Sequence, residues 1–275
     1  MTSLSPSTNR APAIIATDLD GTLLRSDLSI SARTRRVLKE LEERNTHVVF
    51  VTARPPRWMG PLAEAVGGHG RAICLNGACV FDFNTGQSSE VYGFTHESLT
   101  GIVTDLRAAL PGVMFAAERV TGAVFDPHFS SAYPYGPETL HMPVEHANDQ
   151  VTGKLLARMP GMADPEFFNI IEQVVGARAL LAYSGADGLA EMTAPGVTKA
   201  VALARWAAGK GVQPADVWAF GDMPNDVPML SWAGTGIAVA NAHPDAKAAA
   251  DLVTASNDQD GVAQALEPLL RLPVA

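Results

Sequence analysis

The chain has 275 residues, of which 47% are hydrophobic and 18% charged, and a formal net charge of −9. This is a globular composition, and the length suits one large domain or two ordinary ones. An acidic chain without a basic stripe argues against nucleic acid or an anionic membrane surface as partner, while leaving room for a small anionic substrate held by local charges and backbone dipoles.

The first thirteen residues are polar and lack an apolar h-region, so no signal peptide is expected. Residues 13–17 then read as a short apolar strand. In residues 30–44, Ile30, Val37, Leu38 and Leu41 fall at helical spacing. Residues 46–52, dense in β-branched side chains, form the next expected strand. Pro55, Pro56 and the following 57–67 suggest a loop and a helix that starts with proline. A third strand is expected at 71–75. It carries Cys74, which with Cys79 completes the cysteine count. Two cysteines outside a CxxC spacing are too few for a disulfide scaffold, so reduced thiols and a cytosolic location are the expectation.

This strand–helix alternation predicts a parallel, doubly wound sheet. The rhythm then changes. Residues 78–94 suggest a hairpin turning around 84–86, 96–110 a helix, and 112–117 and 122–126 antiparallel strands. Residues 127–150 are rich in Pro, His and Tyr and show no clear period. Strands at 151–158, 177–184 and 188–193 and a helix near 165–175 complete a second α+β unit. After Pro195 the first rhythm returns, with a helix over 197–208, a strand at 216–222, a helix from Asn225 and a strand at 236–240. A short strand near Leu252 and a helix from Gly261 close the chain. The longest uncharged run, 227–244, is broken by Pro228, Gly234, Gly236 and Asn241 and is no membrane span. The fold class read from this is α/β: a doubly wound, Rossmann-like parallel-sheet core from 1–82 and 192–275, with an inserted α+β cap domain at 83–191.

Three core strands end in polar clusters: Asp18 and Asp20, Thr52 with Arg54, and Asp222 with Asn225 and Asp226. Open α/β sheets bind ligands beyond the carboxyl ends of their strands. On a strand, Asp18 and Asp20 would share a face. Two carboxylates that close are tolerated where a cation sits or the pair does chemistry. Asp18, Asp20 and Asp222 offer hard oxygens suited to Mg²⁺, which prefers carboxylates, waters and a phosphate. Thr52 offers a hydroxyl beside an expected helix N-terminus, where free N–H groups favour phosphate, and Lys199 supplies a positive charge. A calcium loop starting at Asp18 is excluded, because its sixth and twelfth positions are Leu23 and Ser29 rather than glycine and glutamate. No HxH or HExxH spacing among the seven histidines suggests zinc.

In chain order, "DLDGTLL" (18–24), "VTAR" (51–54), "GVTKAVAL" (196–203) and "FGDMPNDVPML" (220–230) resemble the four motifs of the haloacid dehalogenase superfamily. "LNGA" (75–78) and "SNDQDGVAQAL" (256–266) resemble its Cof-like branch, in which a large α/β cap follows the third core strand. The resemblance implies Asp18 as nucleophile and Mg²⁺ ligand. It implies Asp20 as general acid/base and as a metal ligand through its backbone carbonyl, and Asp222 as the third protein ligand. Thr52, Lys199 and Asn225 would bind the phosphoryl group, and Asp226 would support either metal or lysine. Arg54, Asn76 and Gly77 are candidates for substrate contact; Asn76-Gly77 equally suits a plain turn, and Arg57 and Trp58 face either the cleft or the surface. Two positions depart from the branch pattern: Ala53 where glycine is frequent, and Ala200 after the lysine.

The expected activity is a Mg²⁺-dependent phosphatase acting on a small phosphorylated metabolite, above all a sugar phosphate, through an aspartyl-phosphate. A phosphotransferase or mutase with the same nucleophile is the alternative, and a non-catalytic aspartyl-phosphate switch is a third. Asp20 argues against the switch, since an adjacent general base would shorten the life of the phosphoryl group. The sequence does not give the oligomeric state.

Overall fold

The computed structural model describes residues 11–65, 70–130, 136, 138–182 and 188–272. The polar segment 1–10, the end of the expected 57–67 helix, parts of 127–150 and the last two residues of the 177–184 strand lie outside them. In chain order the strands and α-helices are β1 (Ile14–Thr17), α1 (Ala32–Glu43), β2 (His47–Val51), β3 (Arg71–Cys74), β4 (Cys79–Asp82), β5 (Gln87–Ser89), α2 (His96–Ala109), β6 (Met114–Glu118), β7 (Ala123–Phe125), β8 (Thr139–His141), β9 (Lys154–Arg158), α3 (Asp164–Val175), β10 (Leu180–Ala182), β11 (Ala190–Thr193), α4 (Lys199–Gly209), β12 (Val217–Gly221), α5 (Val227–Trp232), β13 (Thr235–Ala238), α6 (Pro244–Ala249), β14 (Leu252–Val253) and α7 (Gly261–Leu266).

The first sheet has the order β14-β13-β12-β1-β2-β3-β4-β5. It is parallel from β14 to β3, and the β4–β5 hairpin is added antiparallel on β3. Every residue of β1 and β12 is buried, as a parallel strand covered on both faces requires. Ile14, Ile15, Phe50 and Phe220 are wholly enclosed, each stabilising the fold by about 1.5–3 kcal/mol relative to exposure. The chain winds outward from β1 through β2 to β3, then returns at β12 on the other side of β1. The gap between the ends of β1 and β12 is therefore the topological switch point, where a cleft opens.

The second sheet has the order β10-β11-β9-β6-β7-β8, antiparallel except for β7 and β8. Alternation along its strands sends Phe115, Ala117, Leu155, Ala157 and Met192 into the cluster that also takes the apolar stripes of α2 and α3. Ala116, Ala123, Phe125 and Leu156 point the other way, into a separate small cluster with Phe129.

Two expectations are corrected. Among the described residues between Pro55 and β3 there is no α-helix: the chain makes short 3₁₀ segments at Pro56–Trp58 and Gly60–Ala65. Gly60 and Pro61 explain this, one by its low helix propensity and the other by its missing N–H and ring clash. The helix expected from Asn225 begins as a 3₁₀ turn, Pro224–Asp226, and becomes α-helical at Val227. Strand β8 was not foreseen. Among the described residues no helix is long and apolar enough to cross a membrane.

Candidate active site

Asp18 follows β1 directly and continues its pairing, its N–H donating to the Phe220 carbonyl at 3.0 Å. The strand stops there. Residues Leu19–Leu23 coil into one tight turn with Gly21 at φ 77°, so Asp18 and Asp20 do not share a strand face as the sequence pattern suggested. Asp18 is 5% exposed and points at Lys199, whereas the Asp20 side chain is 49% exposed and is gripped by Arg54. Arg54 Nε donates to Asp20 Oδ2 at 2.7 Å, and a second N–H bonds Oδ1.

Lys199 opens α4, whose N-cap Thr198 accepts the Val201 N–H. Its Nζ donates to Asp18 Oδ1 and Asp226 Oδ1, both at 2.6 Å. The other Asp226 oxygen accepts the backbone N–H groups of Asp222 and Met223, each at 3.0 Å. Asp222, at the end of β12, accepts the Thr22 hydroxyl at 2.7 Å. Gly21 lets these segments close: a Cβ there would sit 2.4 Å from Asp222 Oδ2.

The charges are strongly coupled to burial. Desolvation pushes the Asp18 carboxyl well above the usual carboxylate range, with Asp226 and Asp222 adding to it and Lys199 opposing. Desolvation and Asp226 raise Asp222 to about 6, against the Thr22 hydrogen bond and Lys199. For Lys199, burial alone would lower the pKa; the Asp18 and Asp226 carboxylates outweigh it and hold the ammonium form above its ordinary value.

Oxygens of Asp18, Asp222 and Asp226 lie within 4.8 Å of one another, all buried. Three hard oxygen donors that repel one another fit a divalent cation of the Mg²⁺ type. No histidine belongs to the group.

Beside this centre, Thr52 is fully buried after β2. Its hydroxyl accepts the Arg54 N–H at 3.1 Å, closing a local turn in place of the helix N-terminus that was expected. Its carbonyl accepts the Asn76 N–H at 3.0 Å. Asn76 and Gly77 sit in a turn with φ of 56° and 106°. The Asn76 amide oxygen accepts from Asn225 Nδ2 at 3.2 Å. Gly77 presses on the start of α4, where a Cβ would lie 2.3 Å from the Thr198 carbonyl. The Asn225 amide oxygen is buried without a hydrogen-bond partner among the described residues, a place where a ligand or water would complete the bonding. Arg57 pairs through both ends of its guanidinium with Glu118 of β6 and lies over the Trp58 ring at 5.2 Å.

The structure thus gathers Asp18, Asp222, Asp226 and Lys199 at one point, sets Thr52, Asn76 and Asn225 beside them, and leaves Asp20 with Arg54 toward solvent. Sequence reasoning passed over Thr22, although it lies inside the quoted motif. It also passed over Lys154 and Glu191, buried charged residues of the second sheet that reach the 52–54 and 75–77 segments. A charge inside an apolar strand was the available signal.

The sequence profile of haloacid dehalogenase-like hydrolases matches residues 15–266. A Bacillus subtilis protein named 5-amino-6-(5-phospho-D-ribitylamino)uracil phosphatase YcsE is 28% identical over 255 residues, spanning 92% of this chain and 94% of its own length. A crystal structure of SMU.1108c from Streptococcus mutans superposes with a TM-score of 0.82 at 25% identity, covering 94% of this chain and 99% of that one. The structure described as the subclass IIB sugar phosphatase BT4131 shares the fold, with a TM-score of 0.78 at 21% identity over 93% of this chain and 98% of its own. Matched by that profile from β1 to α7, through both sheets, the chain belongs to the haloacid dehalogenase-like hydrolase family and is an enzyme of its phosphatase class.

Proposed function

We propose that this hydrolase is a Mg²⁺-dependent phosphatase that cleaves a small phosphomonoester, a sugar phosphate or similar, through an aspartyl-phosphate on Asp18. The observation that carries the reading is the buried Asp18 at the switch point, bridged by Lys199 to Asp226, with Asp222 alongside. Asp18 and Asp222, with the Asp20 backbone carbonyl, would hold the metal, which when bound supplies positive charge to the transferring oxygens. Asp226 already spends both oxygens on Lys199 and the 222–223 backbone, so of the two roles open to it, support of the lysine suits it better.

In the first step an Asp18 oxygen attacks phosphorus as the ester P–O bond breaks, and Asp20 gives its proton to the departing alkoxide. In the second step Asp20 takes a proton from water as that water attacks the phosphoryl group. Inorganic phosphate leaves and Asp18 is restored. Lys199, Thr52 and Asn225 would hold the phosphoryl oxygens. Asp20 carries a proton in its acid role, so its ion pair with Arg54 must loosen as substrate enters; Arg54, Asn76 and Gly77 are the proposed substrate contacts. The second sheet, which occupies most of the expected 83–191 segment and runs on to Thr193 of β11, would act as the cap. By closing over the cleft it excludes water during transfer and favours a compact substrate. Compactness also agrees with the phosphate esters named for the relatives.

The test is phosphate release from a panel of phosphorylated metabolites, with Mg²⁺ and after chelation, for the wild type and Asp18→Asn. Turnover should require the metal, and Asp18→Asn should lose at least about 10³-fold in kcat while its unfolding transition is retained. Activity surviving exhaustive chelation, or a tenth of it surviving in Asp18→Asn, would refute the metal or the nucleophile respectively.

A further inference from the structure

Between the two sheets lies a buried ion pair, Lys154 Nζ to Glu191 Oε2 at 2.8 Å, the side chains 7% and 5% exposed. Lys154 opens β9 and Glu191 lies on the neighbouring β11. Taking both charges out of water is costly, and an apolar pair would fill the same space without that cost. Each partner, however, makes a second bond across to the first sheet. Lys154 Nζ donates to the Ala53 carbonyl at 3.0 Å, between Thr52 and Arg54. Glu191 Oε2 accepts from Asn76 Nδ2 at 3.4 Å, and Asn76 in turn binds Asn225. The two segments so held are also tied to each other, Leu75 N–H to the Arg54 carbonyl and Asn76 N–H to the Thr52 carbonyl, both at 3.0 Å. Gly153 brings β9 this close: a Cβ there would lie 2.8 Å from Leu75 Cδ1 and 3.0 Å from Ala78 Cβ.

We propose that Lys154 and Glu191 are positioning residues for phosphate. Docking of the second sheet through this pair sets the Thr52–Arg54 and Asn76–Asn225 groups, while the carboxylate centre of Asp18, Asp222 and Lys199 assembles within the first sheet without it. The inference rests on the phosphatase reading of the site. It separates two affinities that a general weakening of the fold would lower together: binding of phosphate depends on the pair, and binding of Mg²⁺ does not.

The experiment uses the full chain as wild type, Lys154→Met, Glu191→Gln and the double variant Lys154→Met/Glu191→Leu. The double variant leaves no unpaired buried charge and keeps a folded species in the comparison. Calorimetry measures Mg²⁺ alone, then inorganic phosphate with Mg²⁺ present, and steady-state kinetics on p-nitrophenyl phosphate gives KM and kcat. Mg²⁺ affinity should stay within about twofold of wild type, because the bonds of Lys154 and Glu191 run to each other, to the Ala53 carbonyl and to Asn76, and none of these is a proposed metal ligand. Phosphate affinity should fall at least about tenfold, since small displacements of binding groups cost that much or more. The double variant should be no worse than the poorer single one, because the pair acts as a unit. Phosphate affinity unchanged in every variant would overturn the proposal and leave the pair a mere brace, and equal loss of Mg²⁺ and phosphate would overturn it too. A wild type that neither binds phosphate nor hydrolyses any phosphomonoester would instead overturn the phosphatase reading, and this inference with it.

Discussion

Lys199 occupies the first position of α4, where the helix dipole disfavours a cation. It stays there because two buried carboxylates require it, and such a local conflict is a mark of function rather than of folding. Asp222 gives the same conflict a pH dependence. Its folded-state pKa of about 6 stands above the ordinary 3.8, so the folded state favours the protonated form. Its contribution to stability is complete below about pH 3.8, declines as pH rises toward 6, and is lost above that. In chelator, Asp222→Asn should therefore gain on wild type by up to about 3 kcal/mol between pH 4 and 7. Added Mg²⁺ should restore the wild type and not the variant. Denaturant unfolding at the two pH values reads this directly, and parallel pH curves for the two proteins would refute it. Asp18, Asp222 and Lys199 were legible because each sits in a motif at a strand or helix end. Thr22, Lys154 and Glu191 were not, because their meaning depends on partners far away in the chain: Thr22 on Asp222, Glu191 on Asn76.

The turn after β1 governs the site at the scale of elements. With φ at 77° and Asp222 Oδ2 at 2.4 Å from a hypothetical Cβ, position 21 accepts glycine and strains with anything larger. Gly21→Ala should lower Mg²⁺ affinity by at least about tenfold, because the carboxylate that must yield is a proposed ligand and its orientation is held by the same turn. A metal titration of the folded variant checks this, and unchanged affinity would mean that the turn gives way instead. Elements with a strong period were legible: the apolar stripe of α1 and the β-branched run of β2 announce themselves. The failures have physical causes. The stretch after Pro55 offered prolines suited to a helix start, but Gly60 and Pro61 limited it to short 3₁₀ pieces. Strand β8 has three residues, none buried, and exists only because β7 lies beside it.

At the scale of the whole molecule, order runs outward from the centre of the first sheet. The β1 and β12 strands are paired on both sides and wholly buried, whereas β5 and β14 are short and lie at the sheet's two margins. Amide hydrogen exchange should find its greatest protection at β1 and β12, opening only with global unfolding, and its least at β5 and β14. Protection of β14 equal to that of β12 would contradict this. The site then stands on the strands expected to open last, while Lys154 and Glu191 reach it from the second sheet.

The pairing of β1 with β12 also has a consequence for how the protein is made. Thr22 and Asp222, which meet just beyond these strands, are 200 residues apart in the chain. During synthesis the α1 and β2 segments can collapse on β1 early, since those contacts are local. The other flank of β1 stays open until β12 has left the ribosome, because a contact across so long a loop carries a large closure entropy and forms late. Through most of translation the nascent chain therefore presents a bare strand edge, a row of unpaired N–H and C=O groups on the largely apolar β1, of the kind that other chains pair with. A chain arrested anywhere before β12 should be aggregation-prone and dependent on chaperones, however well its second sheet has folded.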